Sequence, residues 1–480
     1  MNQLISFKTL YQAYCVCRRR KRRTANAQRY EMRLFDNLYA TQAALTDRSY
    51  LPSPCIHFVA QRPKAREIHA ADFSDRVVHH WLVPQLEALF EPVFIHDVYS
   101  NRQGKGSHKA VDRLQSFMHS VGHGGWYLQL DIANFFNSID RALLFKQLQW
   151  RLSKALKQGK INTAQASSLR WLSHVLLKHD ASRQARYRGD PALLQRVPPH
   201  KRLGAAGVNK GLPIGNLTSQ FFANVYLNPF DQFVKHELKC RHYLRYVDDF
   251  VLLADNPHTL MQWRGQIADF LNQQLHLSLK DWAAPKPVGS GADFLGYIVR
   301  PHYRLVRRRV VGHLREKLHV FQARLLRGNP ANGYSLCLLP DSMAQLQAVL
   351  ASYRGHVNHA HSYRLQQQLQ HDFPWLKLLA GYQPKPNQIN GYRSQIHFFQ
   401  QHYPYAELII QRGYQFDRID ARQQPASVAG AAILTPAVEL SAAVKRAHIV
   451  ECGHLKGGLK RRIVHRLIIK SGVELCPHRA

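Results

Sequence analysis

Acidic residues are scarce in this chain. Only 31 Asp and Glu stand against 66 Lys and Arg, leaving 480 residues with a formal net charge of +35. A field of that sign makes a phosphate backbone the first partner to expect, with an acidic membrane surface second. Cysteine is sparse and scattered: seven residues, at 15, 17, 55, 240, 337, 452 and 476, with no CxxC pair. That excludes a disulfide scaffold, argues against a zinc site and predicts a reducing, cytoplasmic setting. No apolar run approaches the roughly 18 residues of a membrane span, so no spanning segment is expected, and nucleic acid rather than membrane is taken as the partner. The basic run Arg18 to Arg23 is not followed by an apolar segment and cleavage site, which argues against a secretory signal. Six adjacent cations repel one another, and RNA phosphates would relieve that repulsion. Fixed-period repeats and long low-complexity tracts are also lacking, which excludes solenoids and largely disordered chains.

What is present suits a globular protein of several modules. Hydrophobic residues make up 45% and aromatics 10%, enough for a substantial core. Helical spacing predicts helices over 1–50, 141–180, 217–238 and 312–327, and the stretch 180–210, rich in Arg, Lys, Gly and Pro, reads as loop. WYLQLDI at 126–132 alternates, with Trp126, Leu128, Leu130 and Ile132 on one face and Tyr127, Gln129 and Asp131 on the other. That pattern predicts a half-buried strand ending in a carboxylate. HYLRYVDDFVLLA predicts two strands, with Asp248 and Asp249 at or beside the turn.

Adjacent carboxylates in an apolar setting are costly unless a cation neutralises them. Asp131, Asp248 and Asp249 therefore predict divalent metal, and oxygen-only ligands favour Mg²⁺, with Mn²⁺ possible. Two such ions about 3.5 to 4 Å apart would suit nucleotidyl transfer.

These residues resemble the reverse transcriptases. LDIANFF around Asp131, GLPIGNLTSQ at 211–220 and YVDDF at 246–250 are similar to three palm motifs of that family in the right order. PKAREIHAADFSDRVVHH, YSNRQGKGSHKAV and FLGY extend the similarity over roughly 5–376. The resemblance implies a mixed α/β (α+β) right-hand polymerase fold with fingers, palm and thumb. Its expected divisions are N-terminal helices and fingers over 1–125, palm over 126–300 with an insertion at about 150–210, and thumb over 301–380. A linker at 381–392 then leads to a small α/β C-terminal domain over 393–480.

By resemblance, Asp131, Asp248 and Asp249 are catalytic and hold two Mg²⁺ ions together with the Ile132 carbonyl. Lys64, Arg66, Phe136, Ile214 and Gly215 are implied to bind the incoming deoxynucleotide, the cations by phosphate contact and Phe136 by excluding a 2′-hydroxyl. Arg76, Arg102, Lys105, Ser219, Gln220, Leu295 and Gly296 are implied to contact template or primer. Relatives carry a proton-donating lysine before FLGY; that position aligns with Trp282, with Lys280 and Lys286 nearby.

The second motif has Ile214 where most of the family has glutamine. In this form it resembles reverse transcriptases of diversity-generating retroelements, which copy a template RNA with errors at adenines. The implied partners are template RNA, cDNA, dNTPs and a small basic barrel-forming accessory protein. A reverse transcriptase of another bacterial role, such as phage defence, and a non-catalytic RNA-binding scaffold are the alternatives. The tail over 393–472 resembles the N-terminal, mismatch-contacting domain of MutS proteins. Gln415, Phe416 and Asp417 stand where that family has Phe, any residue, Glu, so docking is expected of it rather than mismatch reading.

Overall fold

The computed structural model describes residues 5–379 apart from 20, 22–23, 62–63, 184, 330–332 and 337–339, and beyond them the strands at 406–412, 415–419, 432–434, 448–450 and 466–471. The expected linker at 381–392 and most of the tail's quoted segments lie outside the described residues. The chain divides into two units, 1–368 and 369–480.

The first unit opens with helices α1 (Phe7–Arg18), α2 (Ala25–Met32) and α3 (Leu34–Thr46), then strands β1 (Ile56–Ala60) and β2 (Arg66–Ala70) and helices α4 (Phe73–Phe90) and α5 (Ser107–Val121). Strand β3 (Trp126–Asp131) runs into the one-turn α6 (Phe135–Ser138), followed by α7 (Arg141–Lys157) and α8 (Thr163–Lys178). The stretch expected to be loop holds only the two-residue β4 (Arg186–Tyr187) and short 3₁₀ turns. Next come α9 (Leu217–Gln232), β5 (His242–Tyr246), β6 (Asp249–Ala254), α10 (Pro257–Leu275), β7 (Lys286–Pro287), β8 (Ala292–Phe294), β9 (Tyr297–Val299) and β10 (Arg304–Val306). Helices α11 (Arg308–Leu325), α12 (Pro340–Asn358) and α13 (Tyr363–Asp372) follow, with a small hairpin of β11 (Leu326–Asn329) and β12 (Gly333–Leu336) between the first two. The fold is mixed helix and sheet, as expected for a right-hand polymerase.

Capping explains several of these starts. Ser6 and Thr9 form a reciprocal capping box at α1, Asp140 accepts from the Ala142 and Leu143 N–H groups at α7, and Asn162 pairs with Gln165 at α8. Arg18, the first of the basic run, is spent on Glu31, its Nη2 2.9 Å from the carboxylate.

The central sheet has the order β5-β6-β3-β7, all antiparallel. The expectation of a half-buried β3 needs correction. Leu128 and Leu130 enter the main core with Phe230, Phe250 and Leu252, but Tyr127 on the opposite face is also buried, in a second core with Phe117, Val251 and Tyr297. Helix α5 packs Ala110, Leu114 and Phe117 into that second core, so the face left polar by alternation is covered by helix rather than by water.

The second unit contains a five-stranded sheet built from β13 (Ala406–Arg412), β14 (Gln415–Ile419), β15 (Ala432–Leu434), β16 (His448–Val450) and β17 (Arg466–Ser471), in the order β15-β14-β13-β17-β16. Each neighbouring pair is antiparallel. Residues 415–417, Gln, Phe and Asp, begin the strand β14.

Candidate active site

Two neighbouring strands bring the three acids together. Asp131 ends β3 and is directly opposite Asp249 at the start of β6. Tyr246 pairs with Asp249 in the β5–β6 ladder, so the hairpin loop between them is only Val247 and Asp248. Asp248 thus occupies the turn beside the Asp131–Asp249 pair.

Burial and neighbouring charge raise the affinity of Asp248 and Asp249 for protons. Burial first, and then the charge of Asp131, push the Asp248 carboxyl up to about 6. Asp249 is pushed to about 7, again chiefly by burial and also by Asp131 and Asp248, against a hydrogen bond from Gln129. The Gln129 amide donates to both Asp249 oxygens, at 3.0 and 3.2 Å. Carboxylates that disfavour one another's ionisation are the donor set a hard divalent cation satisfies. The residues present therefore fit the divalent metal that reverse transcriptases generally use.

The turn is strained. Val247 has a φ of 60°, a left-handed conformation that a β-branched residue rarely adopts. Its N–H donates to the Ser100 hydroxyl at 2.9 Å, and its carbonyl accepts from Arg245 Nη1 at 2.8 Å. Arg245 is wholly buried and pairs in a bidentate fashion with Asp231, Nη2 to Oδ2 at 2.6 Å and Nε to Oδ1 at 2.8 Å. Asn224 completes the brace by accepting from Arg245 and donating to the Ser100 carbonyl. Sequence reasoning passed over Ser100, Asn224, Asp231 and Arg245. The signal was available: Arg245 follows Tyr243 at a spacing of two inside an apolar strand, which turns a cation inward and requires a buried anion.

Lys280, rather than Trp282, reaches the acids. Its Nζ lies 3.2 Å from Asp131 Oδ2, and its backbone N–H donates to the Asp131 carbonyl. Trp282 is mostly exposed, and the Arg264 guanidinium lies over its ring at 4.0 Å. The segment 278–280 runs beside the end of β3, bonded from Ala133 to Ser278 as well as at Asp131, and that register selects Lys280.

The motif at 211–220 docks on β2. The His69 N–H donates to the Ile214 carbonyl at 3.1 Å, and the Ala71 N–H donates to Asn216 Oδ1 at 2.8 Å. Gly215 has a φ of 115°, and a Cβ there would meet Ile68 at 2.8 Å, so glycine is required twice over. The Phe136 carbonyl accepts from Leu212, which ties the same segment to α6, just beyond β3. Arg66 is exposed, and its charge acts on Asp248. Lys64 is exposed on the chain entering β2.

The other expected contacts sit differently. Arg76 donates to the Ala71 carbonyl, and Lys105 donates to the His96 carbonyl beneath the Tyr99 ring. Arg102 is held by Glu91 and by the carbonyls of Ile95 and Val98. Ser219 is buried in the first turn of α9, whereas Gln220 beside it is exposed. Leu295 and Gly296 form the two-residue turn between β8 and β9, both with positive φ. His356 supports that turn from below, its ring stacked on Tyr297 at 4.1 Å.

The three acids fall within a segment of the chain that matches a known family. Residues 60–282 match the family model for reverse transcriptase (RNA-dependent DNA polymerase). Protein YkfC of Escherichia coli K12 is 23% identical over 339 residues, covering 62% of this chain and 81% of that protein. The group II intron-encoded protein LtrA of Lactococcus lactis subsp. cremoris is 23% identical over 293 residues, covering 54% of this chain and 48% of LtrA, so the chain spans about half of LtrA's length. Among solved structures, apo telomerase from Candida tropicalis gives a TM-score of 0.36 at 10% identity, covering 52% of this chain and 48% of that one. Telomerase from Candida albicans with a telomeric RNA fragment gives 0.36 at 12% identity, covering 65% and 55%. Residues 60–282, the part of this chain that is similar to reverse transcriptases, carry all three of Asp131, Asp248 and Asp249.

Proposed function

We propose that this chain synthesises cDNA on a template RNA as the reverse transcriptase of a bacterial diversity-generating retroelement. The observation that carries the catalytic reading is the convergence of Asp131, Asp248 and Asp249 at the ends of two paired strands. Asp131, Asp248, Asp249 and the Ile132 carbonyl would hold two Mg²⁺ ions, which activate a 3′-hydroxyl and neutralise charge on the leaving pyrophosphate. Lys64 and Arg66 meet the triphosphate, and Phe136 excludes a ribose 2′-hydroxyl. Ile214 and Gly215 border the nascent base pair. Gln220, Leu295 and Gly296 contact template or primer. Arg76, Arg102, Lys105 and Ser219, which make contacts within the protein, act on the template and primer strands from the surrounding backbone. Template RNA, dNTPs and a small basic accessory protein are the partners of this reading, and the tail is a MutS-like docking domain.

Lys280 Nζ is the group able to pass a proton to the leaving pyrophosphate. Lys280→Met is expected to lower kcat about 100-fold in single-turnover primer extension, with Lys280→Arg intermediate. Equal rates for wild type and Lys280→Met would remove the lysine from the chemistry.

Metal and protons compete for the acid cluster. Asp249, at about 7, and Asp248, at about 6, stand above the ordinary aspartate value of 3.8. The folded state therefore holds these protons more tightly than the unfolded chain does. Without metal, the cluster costs stability above pH 7, and the cost is relieved as pH falls through 7 and 6. Two results follow: the Mg²⁺ concentration for half-maximal synthesis rises roughly tenfold per pH unit below 7, and Asp249→Asn flattens the pH dependence of metal-free thermal stability between pH 8 and 6. A Mg²⁺ requirement independent of pH would contradict both.

The retroelement reading rests on Ile214 in the segment Ile214, Gly215, Asn216, Leu217, Thr218, Ser219, Gln220. A glutamine there could hydrogen-bond beside the nascent pair; isoleucine offers neither donor nor acceptor. One such bond is worth about 0.5 to 1.5 kcal/mol, or roughly two- to tenfold in discrimination. Ile214→Gln is expected to lower misincorporation opposite template adenine more than opposite other bases, read by sequencing the cDNA. An unchanged error spectrum would leave Ile214 as a packing residue only. Two near-identical DNA repeats beside the coding sequence, differing where one has adenine, are the independent check.

A further inference from the structure

We propose that His57, Glu67 and His69 form a zinc site on the back of the β1–β2 hairpin, separate from the acid cluster. Strand register creates it. His57 is directly opposite His69, and Val59 is opposite Glu67, so the period of two puts all three side chains on one face of the hairpin. Arg66 and Ile68 alternate onto the other face, where Ile68 touches the Gly215 position. The proposed metal thus sits behind the surface that carries Arg66.

The three side chains offer ligand atoms that all lie within 4.8 Å of one another. His57 Nε2 is 3.0 Å from Glu67 Oε1, and His69 Nε2 is 3.4 Å from Glu67 Oε2. Neither contact is aligned as a hydrogen bond. His57 Nε2 and both ring nitrogens of His69 are buried with no hydrogen-bond partner, although His69 is only 2% exposed. Two buried imidazoles closing on one carboxylate without hydrogen-bond alignment are a donor set that a bound cation would satisfy.

The donor set selects the ion. Two imidazoles and one carboxylate are borderline N/O ligands that suit Zn²⁺, whereas Mg²⁺ prefers oxygen alone. Burial and the neighbouring His69 hold the His57 imidazole toward its neutral form, the one that ligates metal. Among the described residues this is the one group of three or more His, Cys, Asp or Glu side chains with ligand atoms so close together. The rings are stacked at 4.4 Å and 13° from parallel, so convergence on one ion requires the His57 ring to rotate. His57, at 13% side-chain exposure, has the more open position, and Tyr187 meets it edge-on at 5.0 Å.

The site would fasten three segments. The Leu203 N–H donates to Glu67 Oε2, and the Arg188 N–H donates to the His57 carbonyl, so the ion would tie the hairpin to β4 and to the turn at 203–205. The expected role is structural: it stiffens the support beneath Arg66 and Ile214.

The test uses the full chain, stripped with chelator and titrated with ZnCl₂. Wild type is expected to bind one zinc per chain that survives gel filtration in excess Mg²⁺, and to gain thermal stability from it. Co²⁺ in its place should give visible absorption bands of a four- or five-coordinate nitrogen/oxygen site. His57→Ala, at the more exposed ligand, should lose the zinc and the stability gain at least tenfold, and Glu67→Gln should do the same if it folds. Asp248→Asn should keep both. Zinc retained equally by His57→Ala, lost with Asp248→Asn, or never retained by wild type would overturn the proposal.

Discussion

Asp248→Asn is expected to lower cDNA synthesis by about a thousandfold or more while leaving RNA affinity within twofold. The substitution keeps the shape of the side chain and removes one charge from the acid cluster. That charge is in the two-residue turn between Tyr246 and Asp249, where no other carboxylate can replace it. Metal-assisted charge stabilisation contributes several kcal/mol to a transition state, and each 1.4 kcal/mol or so is about tenfold in rate. RNA affinity depends instead on the summed field of a chain with net charge +35, which one residue hardly changes. Primer extension with Mg²⁺ and a filter-binding titration on the same preparation separate the two quantities. Polymerisation within tenfold of wild type would remove Asp248 from the metal-binding set. Parallel loss of RNA binding would mean that the variant is misfolded rather than chemically silenced.

The acids were legible because their signal is local. Alternation in WYLQLD fixes where Asp131 falls on its strand, and a doubled aspartate between two apolar runs fixes a turn. The hydrophobic pattern likewise gave the helices around them. What supports the acids was not legible, because it is made by residues far apart in sequence. Ser100, Asn224, Asp231 and Arg245 come from a loop, one helix and a strand, and each looks ordinary alone. Tyr127 was misjudged for a related reason: alternation marks the polar face of a strand but cannot say whether a helix such as α5 will cover it. Lys280 was missed by two positions because register between 278–280 and β3, rather than spacing to the FLGY turn, decides which side chain reaches Asp131. His57, Glu67 and His69 escaped a search for zinc that began from cysteine spacing. Their pattern appears only when β1 and β2 are laid side by side.

The brace beneath the turn yields the largest expected effect on stability. Arg245 and Asp231 are both fully buried, and removing one partner strands the other charge in the core. Asp231→Ala is expected to cost about 3 to 5 kcal/mol, read as a shift in the denaturation midpoint. Tyr243 adds to the loss, since its hydroxyl donates to the same carboxylate at 2.7 Å. Stability is only half of what the pair does. Arg245 also holds the Val247 carbonyl, and a valine at positive φ costs about 1 to 3 kcal/mol that its surroundings must supply. The double replacement Asp231→Leu with Arg245→Met separates the roles. An apolar pair of similar bulk removes both buried charges together, so most of the lost stability should return. The hydrogen bond to Val247 does not return with it, and the turn is then free to relax away from the geometry that aims Asp248. The double variant is therefore expected to unfold near the wild-type midpoint while synthesising cDNA at least about tenfold more slowly, since small misplacements of reacting groups are costly in rate. A double variant that is stable and fully active would show that Ser100 alone holds the turn. One that remains as unstable as Asp231→Ala would show that packing around Tyr243, rather than the unpaired charge, accounts for the loss.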